Sequence, residues 1–144
     1  MLRMWSLTAL LLMVIALLGL WLTGSLLSPS PIVIAVQCAA IALMGWARVT
    51  FGLRSMHPGA NPTAGGLVTK GPYHFIRHPI YTAGCLFGWA GMLAHWSLPA
   101  ALWGALLFAG ALIRMLCEER LVAETYPAYR EYARTTKRMI PYVF

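Results

Sequence analysis

The chain has 144 residues, 60% of them hydrophobic and only 10% charged, with a formal net charge of +7. A soluble domain carries about 25% charged residues, and a chain this small has no core able to hide so much apolar surface, so lipid is the expected solvent. The positive excess sits beside apolar runs, where it reads as a topology signal or a lipid-headgroup contact rather than a nucleic-acid surface.

The first apolar run, residues 4–27, carries no charge. It exceeds the roughly 7–15 residues of a signal-peptide core, and no A-x-A pattern follows it, so it is read as a retained spanning helix. Ser28-Pro29-Ser30-Pro31 breaks it. A second run, 32–47, is short for a hydrocarbon core of about 30 Å, so Arg48 must snorkel or the helix must continue towards Leu53. Residues 54–70 hold His57-Pro58-Gly59, Asn61-Pro62 and Gly65-Gly66, the chemistry of a loop.

Residues 79–113 again carry no formal charge and are too many for one helix. The turn falls at His95-Trp96-Ser97-Leu98-Pro99, giving a hairpin of helices over 79–94 and 97–117. Gly84 and Gly88 offer a small-xxx-small spacing for close helix approach. Beyond Arg114 charges crowd the sequence, and Pro127 suits the first turn of a short final helix carrying Tyr129, Arg130, Glu131, Tyr132 and Arg134.

These segments form one expected membrane domain, 1–144: two N-terminal spans (1–53), a cytoplasmic loop and motif (54–78), a helical hairpin (79–117) and a cytoplasmic tail (118–144). With four spans, Arg3, the Arg48–Arg77 stretch and the basic tail all fall on one side. The positive-inside rule then places both termini and the working face on the cytoplasmic side of the cell or inner membrane. The expected fold is an all-α integral membrane bundle whose tail closes over a site.

Three polar groups meet at that face: Leu67 to Tyr73 leading to Arg77-His78-Pro79-Ile80-Tyr81; Arg114 with Glu118 and Glu119; and the Tyr126, Tyr129, Tyr132 series ending at Arg138-Met139-Ile140-Pro141. Each has a bland explanation. Pro79 could simply start a helix, and Arg114 and Glu118 could be one i,i+4 ion pair. The hairpin, however, brings His78 and Tyr81 beside Arg114 and Glu118, and intramembrane charge usually serves function. Metal chemistry fits poorly: His74 and His78 are four apart, but no Glu follows His74 as an HExxH helix requires, and Pro79 interrupts helical geometry. Cys38, Cys85 and Cys117 form no CxxC pair, which argues against a disulfide framework or zinc site. There is no GxGxxG and no Walker sequence.

The stretches LVTKGPYHFIRHPIY (67–81), RMLCEERL (114–121) and YPAYREYARTTKRMIP (126–141) resemble the C-terminal signature of the isoprenylcysteine carboxyl methyltransferase family and its phospholipid methyltransferase relatives. The resemblance covers about half the chain; the first two helices contribute only hydrophobicity to it. It implies S-adenosylmethionine bound at the cytoplasmic face, with Leu67, Val68, Tyr73, His78, Pro79, Ile80, Tyr81, Glu118 and its neighbour Glu119 as cofactor contacts. Arg114 matches a residue that orients substrate. Eukaryotic members carry a His just before the Leu-Val pair, where this chain has Gly65-Gly66.

The residue types suit that chemistry. Tyr73 and Tyr81 offer flat apolar surface for adenine, Glu118 can accept from ribose or ammonium donors, and the start of the third helix favours a carboxylate. Methyl transfer needs alignment and exclusion of water more than acid–base catalysis. The implied partners are the membrane and a lipid-like or prenylated substrate, with neither nucleic acid nor metal. Carboxyl O-methylation of an isoprenylcysteine-like acceptor comes first, because Arg114 suits a carboxylate. N-methylation of a phospholipid or amine, a sterol-reductase-like NADPH enzyme and a non-catalytic scaffold are the rivals.

Overall fold

The structure is a computed structural model describing residues 1–52 and 66–144. Arg54, the turn dipeptides of the long loop and Gly65 lie outside the described residues. The elements are α1 (Leu2–Leu22), α2 (Pro31–Phe51), a 3-10 turn (Gly71–His74), α3 (Pro79–Ala94), α4 (Leu98–Thr125) and α5 (Tyr129–Thr135). Among the described residues there is no strand, only an isolated bridge between Ile76 and Lys137. The chain is an all-α membrane protein.

Helix α1 stops at Leu22 although the apolar run continues to Leu27. Thr23 donates its hydroxyl to the Gly19 carbonyl at 2.8 Å, and Gly24 turns the chain with φ +67°, a left-handed conformation that favours glycine. Helix α2 starts on Pro31 and runs past Arg48 to Phe51. Its 21 residues span about 32 Å at 1.5 Å per residue, enough for the hydrocarbon core.

The hairpin turns where the sequence places it. Ser97 caps α4 by accepting from the Ala100 amide at 3.3 Å. Helix α4 continues two turns beyond Cys117, so Glu118–Thr125 is the polar end of a 28-residue helix rather than the start of a separate tail. Its good helix formers, Glu118, Glu119, Arg120, Leu121 and Ala123, carry it out of the apolar layer. Pro127 sits just ahead of α5, whose first residue is Tyr129.

Three helices, α1, α2 and α4, are long and apolar enough to cross a membrane. Helix α3 has 16 residues, about 24 Å, and is shorter than the hydrocarbon core by a turn. It packs between α2 and α4, while α1 packs along α4. The bundle closes through glycines on both sides of that seam. A Cβ added at Gly88 would stand 2.6 Å from a Leu107 methyl, and one at Gly110 would stand 2.9 Å from the Ala9 carbonyl oxygen. Gly84 has room, with Met13 4.0 Å away, so within the expected pair only Gly88 is a close-contact position. Met13, Ala16, Tyr81, Cys85, Leu107, Ala111, Met115 and Met139 form the main core. Leu7, Leu11, Val14, Leu18 and Trp21 on α1, and Ile34, Ile41 and Val49 on α2, point outward as lipid-facing surface.

Candidate active site at the polar end of the bundle

The site grows from one break in helical geometry. Gly71 has φ +57°, and a Cβ there would lie 2.6 Å from the Thr50 hydroxyl of α2. Glycine therefore lets the 3-10 turn press against α2, with the Tyr73 ring 5.5 Å from that of Phe51. Two residues beyond Ile76, His78 caps α3 and Pro79 opens it. Tyr81, one turn in, is buried and faces α4.

On α4, Arg114 and Glu118 present one face and Glu119 the next. The Tyr81 hydroxyl donates to Glu118 Oε1 at 2.5 Å and accepts from Arg114 Nε at 2.6 Å. Arg114 Nε also stands 3.4 Å from Glu118 Oε1. Arg114 NH1 crosses to α1 and donates to the Ser6 carbonyl at 3.1 Å. Arg114 is 6% exposed, so this is an interior charge held by a carboxylate, a phenol and a backbone carbonyl. Glu118 Oε2 is left to His78 Nδ1 at 4.0 Å, and the Glu118 side chain is one-quarter exposed.

Glu119 does different work. Arg77 Nε and NH2 reach its Oε1 at 3.1 and 3.0 Å. His78 Nε2 lies 3.2 Å from the same oxygen. Arg138 grips both oxygens, with Nε at 3.1 and 3.2 Å and NH2 3.0 Å from Oε2. That contact holds the Arg138 guanidinium pKa above its ordinary value. Two amides complete the seam: Arg77 N–H donates to the Lys137 carbonyl at 2.7 Å, and His78 N–H to the Arg138 carbonyl at 2.9 Å.

The tyrosines of the tail join the same end. Tyr132 donates to the Tyr73 carbonyl at 2.5 Å, and burial pushes its own pKa up to about 12. Burial, with Glu118 nearby, likewise pushes the Tyr73 phenol well above its usual range. Tyr129 is 7% exposed, and its hydroxyl has no hydrogen-bond partner among the described residues.

Of the residues singled out in the sequence, Tyr73, His78, Tyr81, Arg114 and Glu118 are gathered together. Leu67 and Val68 lie half-buried on the irregular approach to the 3-10 turn; Pro79 is buried and Ile80 half-buried in the first turn of α3. His74 is exposed, its ring edge-on to that of Phe75. Sequence reasoning gave no role to Arg77 and Arg138, although both stand inside the motifs it quoted. It also assigned no role to the first two helices, whereas α1 supplies the Ser6 carbonyl and α2 supplies Phe51. A carbonyl that any residue would carry leaves no sequence signal.

A ligand with a flat ring and several hydrogen-bond donors matches what is presented here. The one-quarter-exposed Glu118 carboxylate offers an acceptor, Tyr73 and Tyr81 give aromatic surface, and the orphaned Tyr129 hydroxyl is a buried group of the kind that bound ligands satisfy. S-adenosylmethionine is such a ligand. Among the described residues, no three His, Cys, Asp or Glu side chains gather as a metal-holding group.

Comparison with known proteins adds an independent line. The phospholipid methyltransferase family profile matches residues 23–129, a stretch holding Tyr73, His78, Tyr81, Arg114, Glu118 and Glu119. The cobalt-zinc-cadmium resistance protein CzcN of Cupriavidus metallidurans is 40% identical over 80 residues, which is 52% of this chain and 35% of that protein. The chain thus spans about a third of the length of this relative. No solved structure matches the chain significantly.

Proposed function

The chain belongs to the phospholipid methyltransferase family, and from that premise we propose that it transfers a methyl group from S-adenosylmethionine to an amphiphile reaching the site from the membrane. The observation that carries this reading is Glu118. Its Oε1 is fixed by Tyr81 at 2.5 Å, and its side chain, one-quarter exposed, can offer an acceptor to ribose or ammonium donors. Tyr73 and Tyr81 would flank the adenine, and Leu67, Val68, Pro79 and Ile80 would line its apolar side.

When bound, the cofactor supplies an electrophilic methyl carbon on a sulfonium; transfer leaves a thioether and breaks no other bond. The protein's part is alignment and exclusion of water. Arg114, buried where α1, α3 and α4 meet, would orient an acidic acceptor by sharing its fork. The carboxylate of an isoprenylcysteine-like substrate is the acceptor favoured, because it is already ionised and needs no base. An ammonium acceptor must first lose a proton, and the His78 Nε2 that could take it is turned to Glu119. The family description favours the second reading, N-methylation of a phospholipid amine.

Calorimetry on the detergent-purified chain separates the readings. Saturable binding of S-adenosylhomocysteine is the expected result. Binding of NADPH instead would mark a reductase, and binding of neither would leave a scaffold.

A further inference from the structure

The two adjacent carboxylates of α4 differ in everything but position. The Glu118 side chain is one-quarter exposed, whereas that of Glu119 is 13% exposed and both its oxygens are engaged by Arg77, His78 and Arg138. Those three partners come from the start of α3 and from the C-terminal segment, so Glu119 is where α4, α3 and the tail are joined. Arg77 extends the joint by donating NH1 to the Ala133 carbonyl at 2.8 Å and to the Thr136 carbonyl. Thr82 of α3 donates to the Met139 carbonyl at 3.1 Å.

We propose that Glu119 is a positioning residue: it latches the C-terminal segment across the start of α3 and sets the ring of His78, without touching cofactor itself. On this proposal Glu119 serves the site from behind, in place of the direct cofactor contact expected for it from the sequence. An imidazole has two distinct nitrogens, and the partner of one fixes where the other points. Nε2 lies 3.2 Å from Glu119, so Nδ1 faces Glu118, at 4.0 Å. A carboxylate with a side chain 13% exposed, held by two guanidinium groups and an imidazole, cannot lose its charge without loosening them. The role rests on the methyl-transfer reading only in what the latch serves; the latch is a property of the fold.

Hydrogen–deuterium exchange of the full chain in detergent tests it. The amides of Arg77 and His78, which donate to the tail carbonyls, are the reporters. In Glu119→Gln they should exchange at least about tenfold faster than in the parent, as loss of one or more charge-assisted bonds implies. Amides of α4 between Ala111 and Met115 should be unchanged, and Glu118→Gln should leave the reporters as they are. Arg138→Gln, which removes the tail's own arm and leaves Arg77 and His78 on the carboxylate, should open residues 136–139 in the same way and serves if Glu119→Gln does not fold. Saturating S-adenosylhomocysteine should restore protection to Glu119→Gln, with a dissociation constant raised severalfold. Reporter exchange within twofold of the parent in both variants would overturn the latch. Faster exchange in a protein that never binds S-adenosylhomocysteine would leave the latch standing and remove the methyl-transfer reading instead.

Discussion

Glu118→Gln isolates the charge at the centre of the site with the least disturbance to its shape. The substituted amide would keep an oxygen able to accept from Tyr81, now at 2.5 Å. Arg114 would keep the Tyr81 hydroxyl and the Ser6 carbonyl. Because Arg114 is buried, the loss to stability is that of a buried pair deprived of its anion, at the low end of about 3–5 kcal/mol since the Tyr81 and Ser6 bonds remain, and the melt should fall by several degrees. The loss to a cofactor whose donors bond to Glu118 is read separately, as affinity. One charge-assisted hydrogen bond is worth about 1.5–3 kcal/mol, or about tenfold to a hundredfold in dissociation constant. The assay is S-adenosylhomocysteine titration beside a thermal melt of the same preparation. Unchanged affinity in a normally folded variant would refute the assignment of Glu118.

Arg114→Lys keeps the charge but cannot reproduce a planar fork reaching both Tyr81 and Ser6. Near-normal cofactor affinity with turnover down at least about tenfold is expected, and equal turnover would make Arg114 purely structural. Gly91→Ala would drive a Cβ into the Leu26 carbonyl, whereas Gly84→Ala meets nothing closer than 4.0 Å. Denaturation in mixed detergent should show a loss of about 1–3 kcal/mol for the first and within about 0.5 kcal/mol for the second. The Tyr132 phenol, with its pKa raised by burial to about 12, contributes stability that is complete below the unfolded value near 10 and lost as pH rises from there to about 12. Tyr132→Phe should make that alkaline decline shallower, and an identical pH profile would count against the buried hydroxyl. For topology, cysteines introduced at Ser30 and Ser97 should label from the side opposite Thr135 and Thr63, the latter outside the described residues; labelling of all four from one side would end the four-span arrangement.

The fold was legible where composition alone decides it. Apolar runs broken by Ser-Pro and His-Trp-Ser-Leu-Pro set α1, α2 and the α3–α4 hairpin, and Pro79 marks the first residue of α3. Helix ends were less legible, because α4 stays helical well into charged sequence while α1 unwinds inside apolar sequence. Lipid accepts either end, so hydropathy cannot locate it, and Gly24 and Thr23 decide. In the site, spacing brought Tyr81, Arg114 and Glu118 together because a hairpin with a single short turn at 95–97 leaves little freedom at its open end. The different fates of Glu118 and Glu119 were not readable. A rotation of about 100° between neighbours on a helix sends one carboxylate to Tyr81 and the other to Arg77, His78 and Arg138, and only the placement of the tail makes that difference matter.

The central claim is methyl transfer, and the most direct measurement supplies S-adenosylmethionine labelled in its methyl group to the detergent-solubilised chain with a lipid extract, prenylcysteine and amine phospholipids, then follows the label into the organic phase. Label is expected in an extractable product, lost in Glu118→Gln, and released by mild base as labelled methanol, the hydrolysis product of a carboxyl methyl ester; base-stable label would instead select the amine acceptor. No label above a heat-denatured control with any of the acceptors would contradict the account.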